Sequence, residues 1–168
     1  MKRLITLLTI ATLLLGCRKT KEISIVYDVF GLKNGVDWKA SSHSVMTKQD
    51  TLDIGASTYD QHGESSELIF SKILLSKGKQ LLFGRNANHA WTAFYTVIGG
   101  DVLEGVYIPC ETQNNFIEIQ EIDPCRKYIK GIFQVTLMQD TISKPHKYIP
   151  YLPDTIRFTN GVFSSYYK

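Results

Sequence analysis

The segment Lys127–Met138 has apolar residues or glycine at its odd positions from Ile129 to Leu137, while Lys130, Gln134 and Thr136 have the other parity. This is the pattern of a β-strand with one buried face. Shorter runs rich in β-branched and aromatic residues lie on both sides of it, separated by turn signals such as Asn34-Gly35. No stretch of helical length shows the 3.6-residue periodicity of an amphipathic helix. The sequence therefore predicts an all-β fold, an antiparallel two-sheet sandwich, with a calycin-like closed β-barrel as the alternative.

Residues 1–17 have the layout of a bacterial secretion signal. Lys2 and Arg3 form a basic head, Leu4–Leu15 is a short apolar run, and the small residue Gly16 precedes Cys17. A permanent transmembrane helix needs about 20 apolar residues, more than this run supplies. The ending Leu-Gly-Cys resembles the lipobox of bacterial lipoproteins, which implies cleavage before Cys17 and diacylglycerol on its sulfur.

This leader divides the chain into three parts. We expect a lipoprotein signal peptide over residues 1–16, a lipidated tether over 17–22 and a single β domain over 23–168, which is the length of one ordinary domain. Arg18, rather than an aspartate, follows the cysteine, so nothing resembles the inner-membrane retention signal. The predicted location is the bacterial outer membrane, lipid-anchored and facing the periplasm.

The charge of the chain argues against nucleic acid as a partner. The sequence has 19 basic and 16 acidic residues, and Lys2 and Arg3 belong to the leader, so the remainder is close to neutral. No basic stripe remains to neutralise a phosphate backbone. The expected partners are the membrane, through the N-terminal lipid, and a protein or a glycan.

Two cysteines remain once Cys17 is assigned to lipid. Cys110 and Cys125 would be an even pair in an oxidising compartment, so they are a disulfide candidate. Closing that loop would stabilise the fold by about 3 kcal/mol in the chain-entropy model. The alternative is two unpaired thiols on neighbouring strands.

The motifs of common enzymes and metal sites are missing from the sequence. Its four histidines are scattered singly through predicted loops, without the close spacing of zinc ligands: His43, His62, His89 and His146. No nucleophile elbow and no glycine-rich phosphate loop occurs, so we predict no catalytic residues, no metal and no cofactor. The expected function is a non-enzymatic binding or structural module, or alternatively a periplasmic carrier of a small hydrophobic ligand inside a barrel with an apolar lumen.

One loop is a candidate binding site. An aromatic side chain beside amide and imidazole donors suits a sugar or a peptidoglycan fragment, and this loop contains Arg85, Asn86, Asn88, His89 and Trp91. The alternative is that Trp91 and Trp38 are both core aromatics.

Three short motifs together resemble an uncharacterised family of all-β lipoproteins from Bacteroidota, a domain of unknown function. They are Asn34-Gly35-Val-Asp-Trp38-Lys-Ala40, then Ile117-Glu-Ile followed by Asp123 and Lys130-Gly131-Ile-Phe133, and finally Thr159-Asn160-Gly161-Val-Phe163. The resemblance implies an all-β lipoprotein and supplies no catalytic residues. The motifs themselves have the character of turns and packed aromatics.

Lipidation is directly testable. In its bacterial host the protein should lose residues 1–16 and gain an acyl mass on Cys17, because the lipobox cysteine is both the cleavage and the modification point. Mass spectrometry of the envelope fraction measures both changes, and Cys17→Ser or globomycin should abolish them. A full-length, unacylated chain in untreated cells would contradict the prediction.

Overall fold

The computed structural model describes most of the predicted β domain. The described residues are 28–47, 50–59, 64–84, 93–99, 102–140 and 152–168. Within these ranges the chain contains strands and turns and no helix, so the all-β prediction is confirmed. A helix suited to crossing a membrane is accordingly not found in this part of the chain.

Ten strands follow one another in the described ranges. They are β1 (Val29–Lys33), β2 (Val36–Met46), β3 (Thr51–Tyr59), β4 (Glu64–Leu74), β5 (Gly78–Leu81), β6 (Ala93–Gly99), β7 (Val102–Pro109), β8 (Phe116–Asp123), β9 (Tyr128–Gln139) and β10 (Thr155–Tyr166). The predicted Asn34-Gly35 turn joins β1 to β2, with both residues at positive φ, 52° and 83°. Each named pair of strands is antiparallel.

Eight of the strands close into a barrel, in the order β10-β1-β2-β3-β4-β6-β7-β9 and back to β10. The predicted two-sheet sandwich is therefore wrong, and the alternative, a closed barrel, is correct. The physical reason is the length of β9 and β10, which are 12 residues each and pair along nearly their full length. The last strand, β10, pairs with β9 on one side and with β1 on the other. The eight strands therefore have no free sheet edge, and they do not separate into two layers.

Two pairs of strands lie one above the other between β4 and β9. β9 pairs with β7 over Leu137–Gln139, so β6 and β7 form the wall at that end of the barrel. β9 pairs with β8 over Tyr128–Gln134, so β5 and β8 form the wall at the other end. The edge of β5 that faces away from β8 contacts the end of β4 through the side chain of Gln80. That amide accepts from the Leu74 N–H at 2.8 Å and donates to the Leu74 carbonyl at 2.9 Å, as a neighbouring strand would.

Asn115 holds the junction between these two pairs of strands. Its side-chain amide donates to the Cys110 carbonyl at 2.7 Å and accepts from the Thr136 N–H at 2.8 Å, at the point where β9 changes partner. Its backbone carbonyl accepts from the N–H of Leu82 at 3.0 Å. Asn115 is buried, so these bonds satisfy backbone groups that would otherwise be costly to remove from water.

Side chains fill the centre of the barrel. Six aromatic residues on the inner faces of five described strands are fully buried: Phe70, Tyr95, Tyr107, Phe133, Phe158 and Phe163. Burial of each large apolar side chain stabilises the fold by roughly 1.5–3 kcal/mol. The apolar lumen that the carrier hypothesis required is therefore occupied by the protein's own core.

Two glycines make room for two of these rings. Gly131 and Phe163 are paired across β9 and β10, and so are Phe133 and Gly161. A Cβ on Gly131 would lie 2.7 Å from the Phe163 ring, and a Cβ on Gly161 would lie 2.5 Å from the Phe133 ring. Each ring thus covers the glycine of the neighbouring strand, and larger residues cannot replace either glycine without moving a packed ring.

Cys110 and Cys125 are both free, so the predicted disulfide is not formed. The N–H of Cys110 donates to the Thr136 carbonyl at 2.8 Å, whereas Cys125 lies in the turn that precedes Tyr128. About eight residues of β9 separate the two positions, or roughly 26 Å at 3.3 Å per residue. A disulfide needs Cα atoms within about 7 Å, and the sequence spacing did not reveal that β8 and β9 carry the cysteines apart.

We predict that Gly161→Ala destabilises the protein by about 1–3 kcal/mol, since its methyl group overlaps the Phe133 ring. Phe133→Leu should relieve part of that overlap, so the double variant should be more stable than the sum of the two single effects by about 1 kcal/mol. Urea denaturation of the four proteins measures this coupling.

The pair Gly131→Ala and Phe163→Leu is the matched control. A Cβ at Gly131 would also overlap the backbone carbonyl of Glu118, which no side-chain change can remove. The coupling in this second cycle should therefore be much smaller. Equal coupling in both cycles would show that ring overlap is not the cause.

Candidate functional site

The structure describes only some of the residues that the sequence singled out. The candidate loop Arg85, Asn86, Asn88, His89 and Trp91 lies outside the described residues, as does Cys17, and both remain predictions. Trp38 is a core aromatic, as the alternative interpretation predicted. His43 lies on the outer face of the barrel, with Nε2 3.1 Å from Oε1 of Glu67. Three or more metal-ligating side chains do not come together anywhere in the described ranges.

A cavity of about 270 Å³ lies at the end of the barrel formed by β6 and β7. It is comparable in size to the smaller ligand pockets of proteins. The cavity combines aromatic, hydroxyl and charged side chains with one apolar wall, and it is lined by Lys33, Trp38, Thr58, Glu64, Ser65, Ser66, Tyr95, Val97, Tyr107, Leu152, Pro153 and Ile156.

Strand alternation places the inner part of this lining. Val29 begins β1 on the inner face, so Lys33, four residues later, has the same parity and lies at the barrel end. Tyr95 on β6 and Tyr107 on β7 are directly paired, and both are fully buried. Their rings form the floor of the cavity, with centroids 6.0 Å apart.

The floor is rigid because its rings are packed from below. Phe158 of β10 lies 5.4 Å from the ring of Tyr95 and 4.8 Å from the ring of Trp38, in tilted and edge-on geometry. Aromatic contacts of this kind add about 0.5–1.5 kcal/mol each beyond the area they bury. The floor therefore needs little rearrangement to receive a ligand.

Lys33 is held over this floor. Its Nζ donates to the hydroxyl of Tyr95 at 2.6 Å and lies 4.8 Å from the centroid of the same ring. A lysine side chain ordinarily extends into water, so a hydrogen bond and a cation–π contact to one buried tyrosine fix its ammonium group at the cavity. A cation is thus placed at the bottom of the site.

Tyr107 fixes one wall. Its hydroxyl donates to the carbonyl of Pro153 at 2.8 Å, which ties the segment before β10 to β7. Burial, and secondarily the neighbouring Tyr95 and Asp154, raise the pKa of Tyr107 to about 12. The hydroxyl therefore stays protonated at neutral pH and acts as a donor.

Trp38 forms part of the packed wall. Its side chain lines the cavity and is about nine-tenths buried, and its indole N–H has no hydrogen-bond partner among the described residues. That N–H is enclosed by protein atoms, so a ligand in the cavity does not reach it, and the missing hydrogen bond costs about 1–3 kcal/mol.

Two further depressions lie on the outer surface of the described barrel. One is bordered by the exposed residues Phe30, Asp37 and Lys39, and it also reaches one side of Trp38. The other lies beside Lys72, at a bulge of β4. Neither of them brings a partly buried charged group together with an aromatic floor, as the barrel-end cavity does. That cavity is therefore the better candidate for a binding site.

Comparison with family models, with curated proteins and with solved structures gave no match for this chain. The function must therefore be inferred from the geometry of the cavity.

Lys33 was not among the predicted site residues, although the sequence contains a signal for it. Lys33 follows Val29 and Gly31 at alternate positions of a strand, which predicts an inward-facing lysine, and lysine is seldom buried without a specific reason. Tyr95 and Tyr107 could not be assigned to the same site, because only strand pairing brings them together.

The raised pKa of Tyr107 predicts a pH effect on stability. The unfolded tyrosine ionises near pH 10 and the folded one near 12, so its stabilising contribution is complete below pH 10 and is lost as the pH rises to 12. Urea unfolding of the native protein and of Tyr107→Phe should show a fall over this range that is smaller in the variant. Parallel curves would contradict the assignment, and Tyr166→Phe, at an exposed tyrosine, is the control.

Proposed function

We propose that the protein is a binding protein or carrier for a small ligand, which it holds in the cavity at the end of its β-barrel. The observation that carries this proposal is the cavity itself, where an aromatic floor, a fixed ammonium group and an apolar wall meet in about 270 Å³. Small-ligand sites typically combine an apolar enclosure with a few well-placed polar groups.

The size of the cavity limits the ligand. At about 30 Å³ per water molecule, the space corresponds to roughly nine waters. The fully buried rings of Tyr95 and Tyr107 close it from below, so an extended acyl chain has no route into the barrel centre. A compact molecule with one polar end fits the cavity better. The ligand proposed here is therefore less hydrophobic than the one that the sequence-based carrier hypothesis expected.

Envelope anchoring is a separate part of the proposal. It is supported by the lipobox-like Leu-Gly-Cys17 alone. Together the two parts describe a periplasmic, lipid-anchored binding protein without catalytic activity. A protein or glycan partner at the Arg85–Trp91 loop, which lies outside the described residues, stays a separate prediction.

Ligand binding can be tested with three probes of nearly the same shape: benzoate, benzamide and benzamidinium. At least one should bind the folded β domain with a dissociation constant on the order of 1 mM or tighter, as expected for a probe of this size. It should shift the NMR signals of backbone amides in β6 and β7 near Val97. If none of the three binds, the proposal fails.

A cavity-filling variant makes the test specific. Val97 lines the cavity, so Val97→Trp should occupy the space and weaken binding at least tenfold. Val45→Trp is the matched control, because Val45 is half exposed and faces away from the barrel interior on β2. Equal binding by both variants would place the probe elsewhere on the protein.

A further inference from the structure

We propose that the ligand is a small organic acid, whose carboxylate binds Lys33 at the bottom of the cavity. This inference rests on the proposed function and specifies the chemistry of the same site. It follows from the free N–H donors of Lys33, from the burial of its charge and from the apolar wall beside it.

The ammonium of Lys33 supplies the donors for a ligand. Lysine has three N–H donors and no acceptor, and the bond from Lys33 to the Tyr95 hydroxyl uses one of them. The Tyr107 hydroxyl donates its hydrogen to Pro153, and the indole N–H of Trp38 is packed against protein atoms, so neither of them donates to a ligand. A ligand group that reaches Lys33 must therefore accept hydrogen bonds from the ammonium.

Burial separates the charges at this site. Lys33 is partly buried above two fully buried rings, whereas Glu64, which lines the cavity, and Asp154, which neighbours Tyr107, are both exposed. Water screens the two carboxylates more strongly, and the field of Lys33 is stronger because the aromatic floor has a low dielectric constant. The site therefore favours an anion at the floor.

An apolar wall receives the remainder of the ligand. Val97, Leu152, Pro153 and Ile156 line the cavity beside the aromatic rings. Free inorganic anions would leave this wall uncovered, whereas a carboxylate attached to a compact hydrocarbon or aromatic body would bury it. Both features together point to an organic acid.

Tyr95 is the positioning residue for Lys33. It is fully buried, so the ligand meets Lys33 first, and the hydroxyl acts by holding the ammonium in place. Removal of the Tyr95 hydroxyl should weaken the preference for an anion while the protein stays folded.

The test uses the ratio of the dissociation constants for benzamide and benzoate, measured by NMR titration of the folded β domain. The native protein should bind benzoate at least tenfold more tightly than benzamide and should bind benzamidinium most weakly. Lys33→Met should bring the ratio close to one, and Lys33→Arg should retain part of the preference. Tyr95→Phe should lower the ratio without abolishing the binding of benzamide.

Lys39→Met is the matched control, because Lys39 is an exposed lysine on the adjacent strand, outside the cavity, and its loss should leave the ratio unchanged. Urea unfolding of every variant shows that binding is compared between folded proteins. A native ratio near one, a ratio unchanged in Lys33→Met, or tighter binding of benzamidinium than of benzoate would overturn the inference.

These outcomes separate the two proposals. Binding of benzamide or benzamidinium that Val97→Trp abolishes would support a ligand site in the cavity even when the preference for an acid is absent. Failure of all three probes would remove both.

Discussion

The pairing of β9 with β10 is the constraint on which the barrel depends. These two strands run alongside each other over nearly their whole length, and each also meets strands on its other edge. A sheet closes only when its strands curve and coil, and small residues facing inward permit that curvature. Gly131 and Gly161 supply this freedom, and the rings of Phe163 and Phe133 fill the space that the missing side chains leave. Curvature and core packing are therefore achieved by the same four residues.

A bulge completes the bend. In β10 the register shifts between Phe158 and Gly161, and Asn160 adopts a positive φ of 53°. An extra residue of this kind increases local twist, and asparagine tolerates the left-handed conformation better than most residues. The Thr159-Asn160-Gly161 motif thus bends β10 where it pairs with β9 and closes the barrel.

Local features of the fold could be predicted from the sequence, and non-local ones could not. Alternation in Lys127–Met138 and the Asn34-Gly35 pair depend on neighbouring residues, so they identified a strand and a turn correctly. The choice between sandwich and barrel depends on whether the last strand reaches the first, which no local pattern encodes. The separation of Cys110 from Cys125 was missed for the same reason. The cavity is formed by Lys33, Tyr95 and Tyr107, which lie on three strands distant in sequence. The sequence shows these residues, but it does not show that they come together.

The direction of β1 orients the whole molecule. The strand runs from Val29 to Lys33, and Lys33 lines the cavity, so the chain enters the barrel from the opposite end. The C-terminal residues are at that same end, where the N–H of Met46 donates to the carbonyl of Lys168. The cavity and the C-terminal residues therefore lie at opposite ends of the barrel, so a group attached at Lys168 would not block the cavity mouth.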